Sequence, residues 1–213
     1  MEDKDILTMW RSYDERLQES LTLNRKNAEE ITRMKVQSFL ASMKPMKIFT
    51  LIAGILWVLL VDFILVASFR SASPFFYVSM GIQVLLTKLA IGVYIYQLYL
   101  LNRADIGEPV LETQEKIARL QSSTIWVTRL LFLQLPVWTT FFWSKRLFAD
   151  ANALQIAIPV VIAALFTWAA VWLFINIRFE NKDKKWFRLI FRGKEWDPML
   201  KANDLLHQVQ DYK

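Results

Sequence analysis

The chain has 213 residues, a net charge of +6 and no cysteine, and 54% of its residues are hydrophobic. With a mean hydropathy of +0.26 it is too apolar for an ordinary soluble domain of this length. The absence of cysteine excludes disulfides, thiolate chemistry, Cys-based metal sites and prenyl or palmitoyl anchors, and Glu2 stands where myristoylation needs a glycine.

The chain opens Met1-Glu2-Asp3-Lys4-Asp5 and stays polar for about forty residues, unlike a cleaved signal peptide, so the first apolar stretch reads as an uncleaved anchor. Residues 5–44 hold no Gly or Pro and are rich in Leu, Glu, Arg, Lys and Gln, which predicts one long helix or two short ones. Leu7, Trp10, Leu17, Leu21, Ala28 and Ile31 recur in steps of three and four. Asp14, Asn24 and Lys35 interrupt the same stripe, which argues against a long continuous coiled coil. An apolar stripe has to be buried against something. The plainer expectation is that the chain's own cytoplasmic segments cover it; the functional one is a docking face for another protein through Leu7, Trp10, Leu17 and Leu21.

Four apolar stretches follow, Ile48 to Phe69, Pro74 to Leu101, Thr124 to Trp143 and Leu154 to Ile177, each long enough to cross a hydrocarbon layer of roughly 30 Å as a helix. Lysine and arginine set their sense, because cationic loops resist translocation. Nine fall in residues 1–47, three in 102–123 and nine after Ile177, against Arg70 in the first hairpin loop and Lys145 and Arg146 in the third. Both termini are therefore expected in the cytoplasm. The expected fold class is an all-α integral membrane protein of four transmembrane helices with cytoplasmic helical extensions: an amphipathic segment 1–46, a membrane domain 47–178 and interfacial and C-terminal helices 179–213. Glu108-Pro109 has the form of a helix start leading a cytoplasmic extension into the third span. The extensions 5–40, 109–121 and 198–211 are expected to pack together beneath the membrane.

Inside the spans the polar residues are Asp62, Gln83, Lys88, Arg129 and Gln134. A charge in mid-bilayer costs at least about 2.5 kcal/mol, so each needs a partner, water or an escape. Folding the first two spans as a hairpin brings Asp62 near Gln83, and the lean of helical side chains towards the N-terminus brings Asp62 and Lys88 together. An ion pair that fixes helix docking, joined by Gln83, is expected; a proton or ion relay is the functional alternative. Arg129 lies near the cytoplasmic end and can reach the interface. Pro136 should kink the third span, with Gln134 helping to satisfy the freed backbone groups. Trp126, Tyr94, Tyr96 and Tyr99 fall at one boundary and Phe75, Phe76, Tyr77, Trp138 and Trp143 at the other, as aromatic belts do. Ala163, Thr167 and Ala170 form a small-residue stripe that permits close helix approach.

After the last span, Lys184, Lys185, Trp186, Arg188 and Arg192 are interleaved with Phe187, Leu189, Ile190 and Phe191, a pattern suited to a helix lying on anionic headgroups. Gly193 ends it, and Asp197-Pro198 begins a final helix. The single histidine, His207, has no second ligand at metal spacing, and there is no phosphate loop, nucleophile elbow or paired-carboxylate motif. No catalytic residue, metal or cofactor is expected, nor nucleic-acid binding.

The run Ile6-Leu7-Thr8-Met9-Trp10-Arg11-Ser12-Tyr13-Asp14, with Glu112-Thr113-Gln114-Glu115-Lys116 and Leu133-Gln134-Leu135-Pro136-Val137-Trp138, is similar to a group of uncharacterised bacterial multi-span inner-membrane proteins. That resemblance implies a bacterial inner membrane and carries no activity. The leading expectation is a non-enzymatic membrane protein that recruits or regulates a cytoplasmic or membrane partner, an anti-sigma-like role being one version. The alternative is a small transporter or channel subunit using the in-span polar residues; a homo-oligomer is compatible with either.

Overall fold

The structure is a computed structural model and describes residues 2–103, 110–144, 149, 152–193 and 196–211, with side chains from residue 6 to 206 outside the gaps and residues 110 and 111. Glu108, Pro109, Lys145, Arg146 and the side chain of His207 lie outside the described residues. The described residues are helical, with no strand.

The first helix, α1, runs unbroken from Glu2 to Ala67 and contains Pro45, so it passes straight through the boundary expected at residue 46. A proline inside a helix removes one backbone bond and crowds the preceding turn, at about 3 kcal/mol. Burial on both sides offsets this: Met43 and Lys47, two residues either side of Pro45, are completely buried. They belong to a packing face of α1 that repeats in steps of four and three through Val36, Leu40, Met43, Lys47, Gly54, Val58 and Val61. All of these are buried except Gly54, which lies so close to α2 that a Cβ there would meet Ile91 at 3.4 Å.

Helix α2, Pro74–Asn102, returns antiparallel to α1 after a short turn. It starts cleanly because Ser73 caps it: the Ser73 hydroxyl accepts from Phe76 N–H at 3.2 Å, with Pro74 in the first turn where its missing N–H costs nothing. Helix α3, Val110–Phe132, runs beside α2. The third apolar stretch is not one helix. After Phe132 the backbone tightens into three-residue turns, with Phe132 C=O accepting from Leu135 N–H at 3.1 Å, before α4, Val137–Thr140. Proline at 136 cannot donate the next bond, so the ladder re-registers. Gln134 does not mend the break: its side chain amide crosses to Thr87 on α2 at 3.1 Å.

Helix α5, Ala153–Asn176, follows, opened by a capping box between Asn152 and Gln155. A 3-10 turn, Phe179–Asn181, leads to α6, Lys185–Phe191, and α7, Asp197–Asp211. Gly193 sits between α6 and α7 at φ 141, where a side chain would be strained.

Two regions of core result. At the α7 end Val36, Leu40 and Met43 of α1 pack with Ile117 and Leu120 of α3, Phe187, Phe191 and Trp196, and Met199, Ala202 and Leu206 of α7. Rings of Phe187 and Phe191 stack at 4.2 Å, with Trp196 at 4.9 Å from Phe191. Further along, Val58, Val61 and Val84 join α1 to α2, and Ala90, Tyr94, Val127 and Leu130 join α2 to α3. The expected layer of extensions therefore forms only in part. Residues 36–43, 117–120 and 196–206 pack together, but the stripe of α1 before Ile31 is not covered: Leu17 and Leu21 are exposed while Leu206 is buried.

Among the described residues three helices are long and apolar enough to cross a membrane: α1, α2 and α5. Ala163 and Ala170 of α5 are buried at a helix contact, the close approach that small residues permit.

Candidate functional site: an internal polar ladder, a surface ion pair and an uncovered helical arm

The buried face of α2 is polar along its length. Ser79, Gln83, Thr87, Tyr94 and Gln97 recur at helical spacing and turn towards α3 and α4. Four rungs link it across. Ser73 donates to Trp143 C=O at 2.7 Å, Ser79 pairs with Thr140 at 3.0 Å, Gln134 donates to Thr87 at 3.1 Å, and Gln97 donates to Ser123 and Thr124 at 3.0 and 3.3 Å. The rungs pair rising numbers on one strand of the ladder with falling numbers on the other. Residues 124 to 143 thus cover the same length of α2 as residues 97 to 73.

The last rung holds a residue that the sequence reading had left on the flank. Lys47 is 0% exposed. Its ammonium donates to Gln97 Oε1 at 2.6 Å and lies 5.1 Å from the centre of the Tyr94 ring, a cation–π distance. The bonds point one way: Lys47 donates to Gln97, whose amide donates to Ser123 and Thr124, whose hydroxyls donate to Leu120 C=O at 2.9 and 2.8 Å. This orders the Gln97 amide, because flipping it would aim its NH₂ at the ammonium. The available signal was that Lys47 continues the four-three repeat Val36, Leu40, Met43, which counting it as a flanking cation overlooked.

Asp62 and Lys88 meet at 3.1 Å, α1 to α2, with their side chains 41% and 55% exposed. The pair bridges the two helices on the outside of the bundle and not in its core. Gln83 does not join it. It lies on the buried side of α2, 1% exposed, and its Oε1 has no hydrogen-bond partner among the described residues.

Arg129 reaches the backbone C=O of Ile177, at the C-terminal end of α5, where carbonyls lack helical donors and the helix dipole favours a cation. The interfacial cations Lys184, Lys185, Arg188 and Arg192 are exposed, as is Leu189. The large rings between them turn the other way: Phe187 and Phe191 are core, and Trp186 packs on Trp172 at 5.1 Å, so Trp186 serves the protein's interior more than a headgroup layer. Tyr94 is buried likewise, whereas Tyr96, Tyr99, Trp126 and Trp138 remain exposed.

The stripe of α1 is uncovered. Leu7, Trp10, Leu17, Leu21 and Ile31 are all exposed, Trp10 to 67%, on a helical arm that by its rise per residue extends roughly 40 Å.

Fold and ladder together define a helical protein with helices able to cross a membrane and a long free arm. Comparison with protein-family models, with curated proteins and with solved structures found no match.

Proposed function

We propose that this is a non-enzymatic protein of a bacterial inner membrane that recruits or regulates a helical partner through the first thirty or so residues of α1. The single observation carrying this is the uncovered stripe. Every other extension buries its apolar face in a common core, while Leu7, Trp10, Leu17, Leu21 and Ile31 stay in the open on an unsupported helix. Helices in proteins owe most of their stability to packing of such a face, and an exposed apolar stripe marks an interaction site.

The same reading takes the chain across the membrane four times with both termini in the cytoplasm. The ladder supports it, since the broken α3–α4 segment runs alongside α2 from Gln97 to Ser73, and a proline break is tolerated where a neighbouring helix covers it. The heavy bias of lysine and arginine to one side supports the sense.

A pull-down from mild detergent tests the docking face. Trp10→Glu with Leu17→Glu should lose a stoichiometric partner that Glu15→Ala with Glu19→Ala, off the stripe, retains. Equal recovery by both would end the proposal. Reporter fusions after Lys213 and in 144–153 should report opposite sides of the membrane.

A second reading, a small channel or transporter subunit, draws on the polar ladder and on the unpartnered Gln83 oxygen. Proteoliposome flux sensitive to Gln83→Leu or Asp62→Asn would favour it.

A further inference from the structure

We infer that the stripe of α1 is occupied by a second copy of this chain, the two α1 helices running parallel and in register from the arm into the membrane. This rests on reading the stripe as a docking face and names its occupant.

The register of the arm does not stop at the membrane. Counting on from Leu7, Trp10, Leu17, Leu21, Ala28 and Ile31 in steps of four and three, the seam passes Lys35, Ser38, Ser42 and Pro45, all exposed. It then reaches Phe49, Ile52, Leu56, Leu59, Phe63 and Val66, again all exposed. From Lys35 to Val66 this seam lies across the helix from the face that holds α2, α3 and α7; further out it drifts by about 20° per seven residues, so two paired copies would wind about each other. A partner that follows it from end to end must itself cross the bilayer in the same sense as α1. A second copy does so by construction, and confinement to one membrane places its arm at the same height.

The charges permit it. From Ile6 to Met34 the arm carries five acidic and five basic residues, so two arms do not repel as wholes. In a parallel pair the flanking positions would set Tyr13 against Gln18, Ser20 against Arg25 and Asn27 against Thr32 of the second copy, with no like charges facing. Asn24 would meet Asn24, an amide that can bond to itself across the seam. The exposed seam side chains of the arm present on the order of 500 Å² per copy, about 1,000 Å² for the pair, where specific interfaces begin; the membrane part of the seam adds to this. Asp14 and Lys35 would also meet their own copies, like charges that interrupt the seam, so the pairing is segmented and weaker than that of an unbroken coiled coil.

The natural absence of cysteine gives a clean test. Single cysteines placed one at a time over residues 14–31 in the full-length protein, in open membrane fragments, are read two ways: dimer yield on mild oxidation and rate of thiol labelling. A disulfide needs Cα atoms within about 7 Å, so dimer yield should peak at Leu17→Cys, Leu21→Cys and Ala28→Cys, at least about fivefold above Glu19→Cys and Lys26→Cys. Adding Asp14→Leu should raise the Leu21→Cys yield, and adding Leu17→Asp should abolish it. Seam cysteines shielded from labelling but yielding no dimer would overturn pairing between copies while keeping the docking face, occupied by a different protein. Seam cysteines labelled as fast as the others, or dimers formed equally at every position, would overturn both.

Discussion

Replacing Gln97 by leucine should be the most damaging single change in the ladder. The substitution keeps most of the volume but removes the acceptor that Lys47 meets at 2.6 Å and the amide that reaches Ser123 and Thr124. The two hydroxyls lose little, because each still donates to Leu120 C=O. The cost falls on the ammonium, which is 0% exposed and keeps its other contacts, the face of the Tyr94 ring among them. Stripping one partner from a buried charge costs about 3–5 kcal/mol in soluble proteins, and leaving a neutral polar group bare costs about 1–3 kcal/mol. With the ring retained, about 2–4 kcal/mol is expected for Gln97→Leu. For a chain of this size that corresponds to a fall in melting temperature of roughly 5–15 °C, readable from tryptophan fluorescence in detergent. Lys47→Met keeps the stem and removes the charge, so it should cost less. The double variant should melt well above the sum of the two losses, with a coupling of about 1 kcal/mol or more. If Gln97→Leu melts within about 1 °C of the wild type, the other contacts of the ammonium satisfy it and the bond to Gln97 does not hold α1 to α2.

The remaining substitutions probe the other contacts. Asp62→Ala or Lys88→Ala should each cost about 2 kcal/mol or more, because the outside of a span faces acyl chains and the remaining charge loses its 3.1 Å partner there; a loss below about 0.5 kcal/mol on chemical unfolding would mean that each group reaches water by itself. Arg129→Met should free the C-terminal end of α5, lowering stability by about 1–2 kcal/mol for the lost charged bond to Ile177 C=O, while Arg129→Lys recovers part of it; an unchanged melt would show that the bond contributes nothing. Gly54→Leu should push α1 from Ile91, 3.4 Å from where its Cβ would stand, at about 1–3 kcal/mol of overpacking. Gly54→Ala should be near neutral, and a Gly54→Leu variant that melts like the wild type would disprove the close approach.

How much of this was legible in the residues depended on which physical signal each element carries. Length and apolar content announced α2 and α5, and their ends match the stretches read from sequence to within a residue or two. The continuity of α1 was harder, because Pro45 reads as a break and only the burial of Met43 and Lys47 on either side explains why it is not. Pro136 reads the same way and does interrupt the helix, where Leu133, Gln134 and Leu135 are only half-buried. One residue type gave two outcomes, and tertiary packing chose between them. Asp62 and Lys88 were found by charge alone. Gln83 was grouped with them by depth in the span, but depth says nothing about which side of a helix a residue occupies. Lys47 was hidden by being counted as one flanking cation among nine.

The position of Lys47 links the two halves of the molecule. Before Ile31 the apolar stripe of α1 is exposed; from Val36 onward the helix is gripped, first by the α7 core and then, one turn after Met43, by the ordered network through Gln97 to α3. A buried ammonium is a poor source of net stability compared with a leucine of similar size, but it is directional, and it holds α1 in one rotation about its axis relative to α2 and α3. That rotation decides which face of the arm turns outward, because the helix is continuous from Glu2 to Ala67. A leucine at position 47 would leave the core packed but hold α1 here by shape alone, without the directional bond to Gln97. The network at Gln97 is therefore best understood as the element that aims the seam, so changes at Lys47 should alter what the arm meets even where they leave the melting temperature almost unchanged.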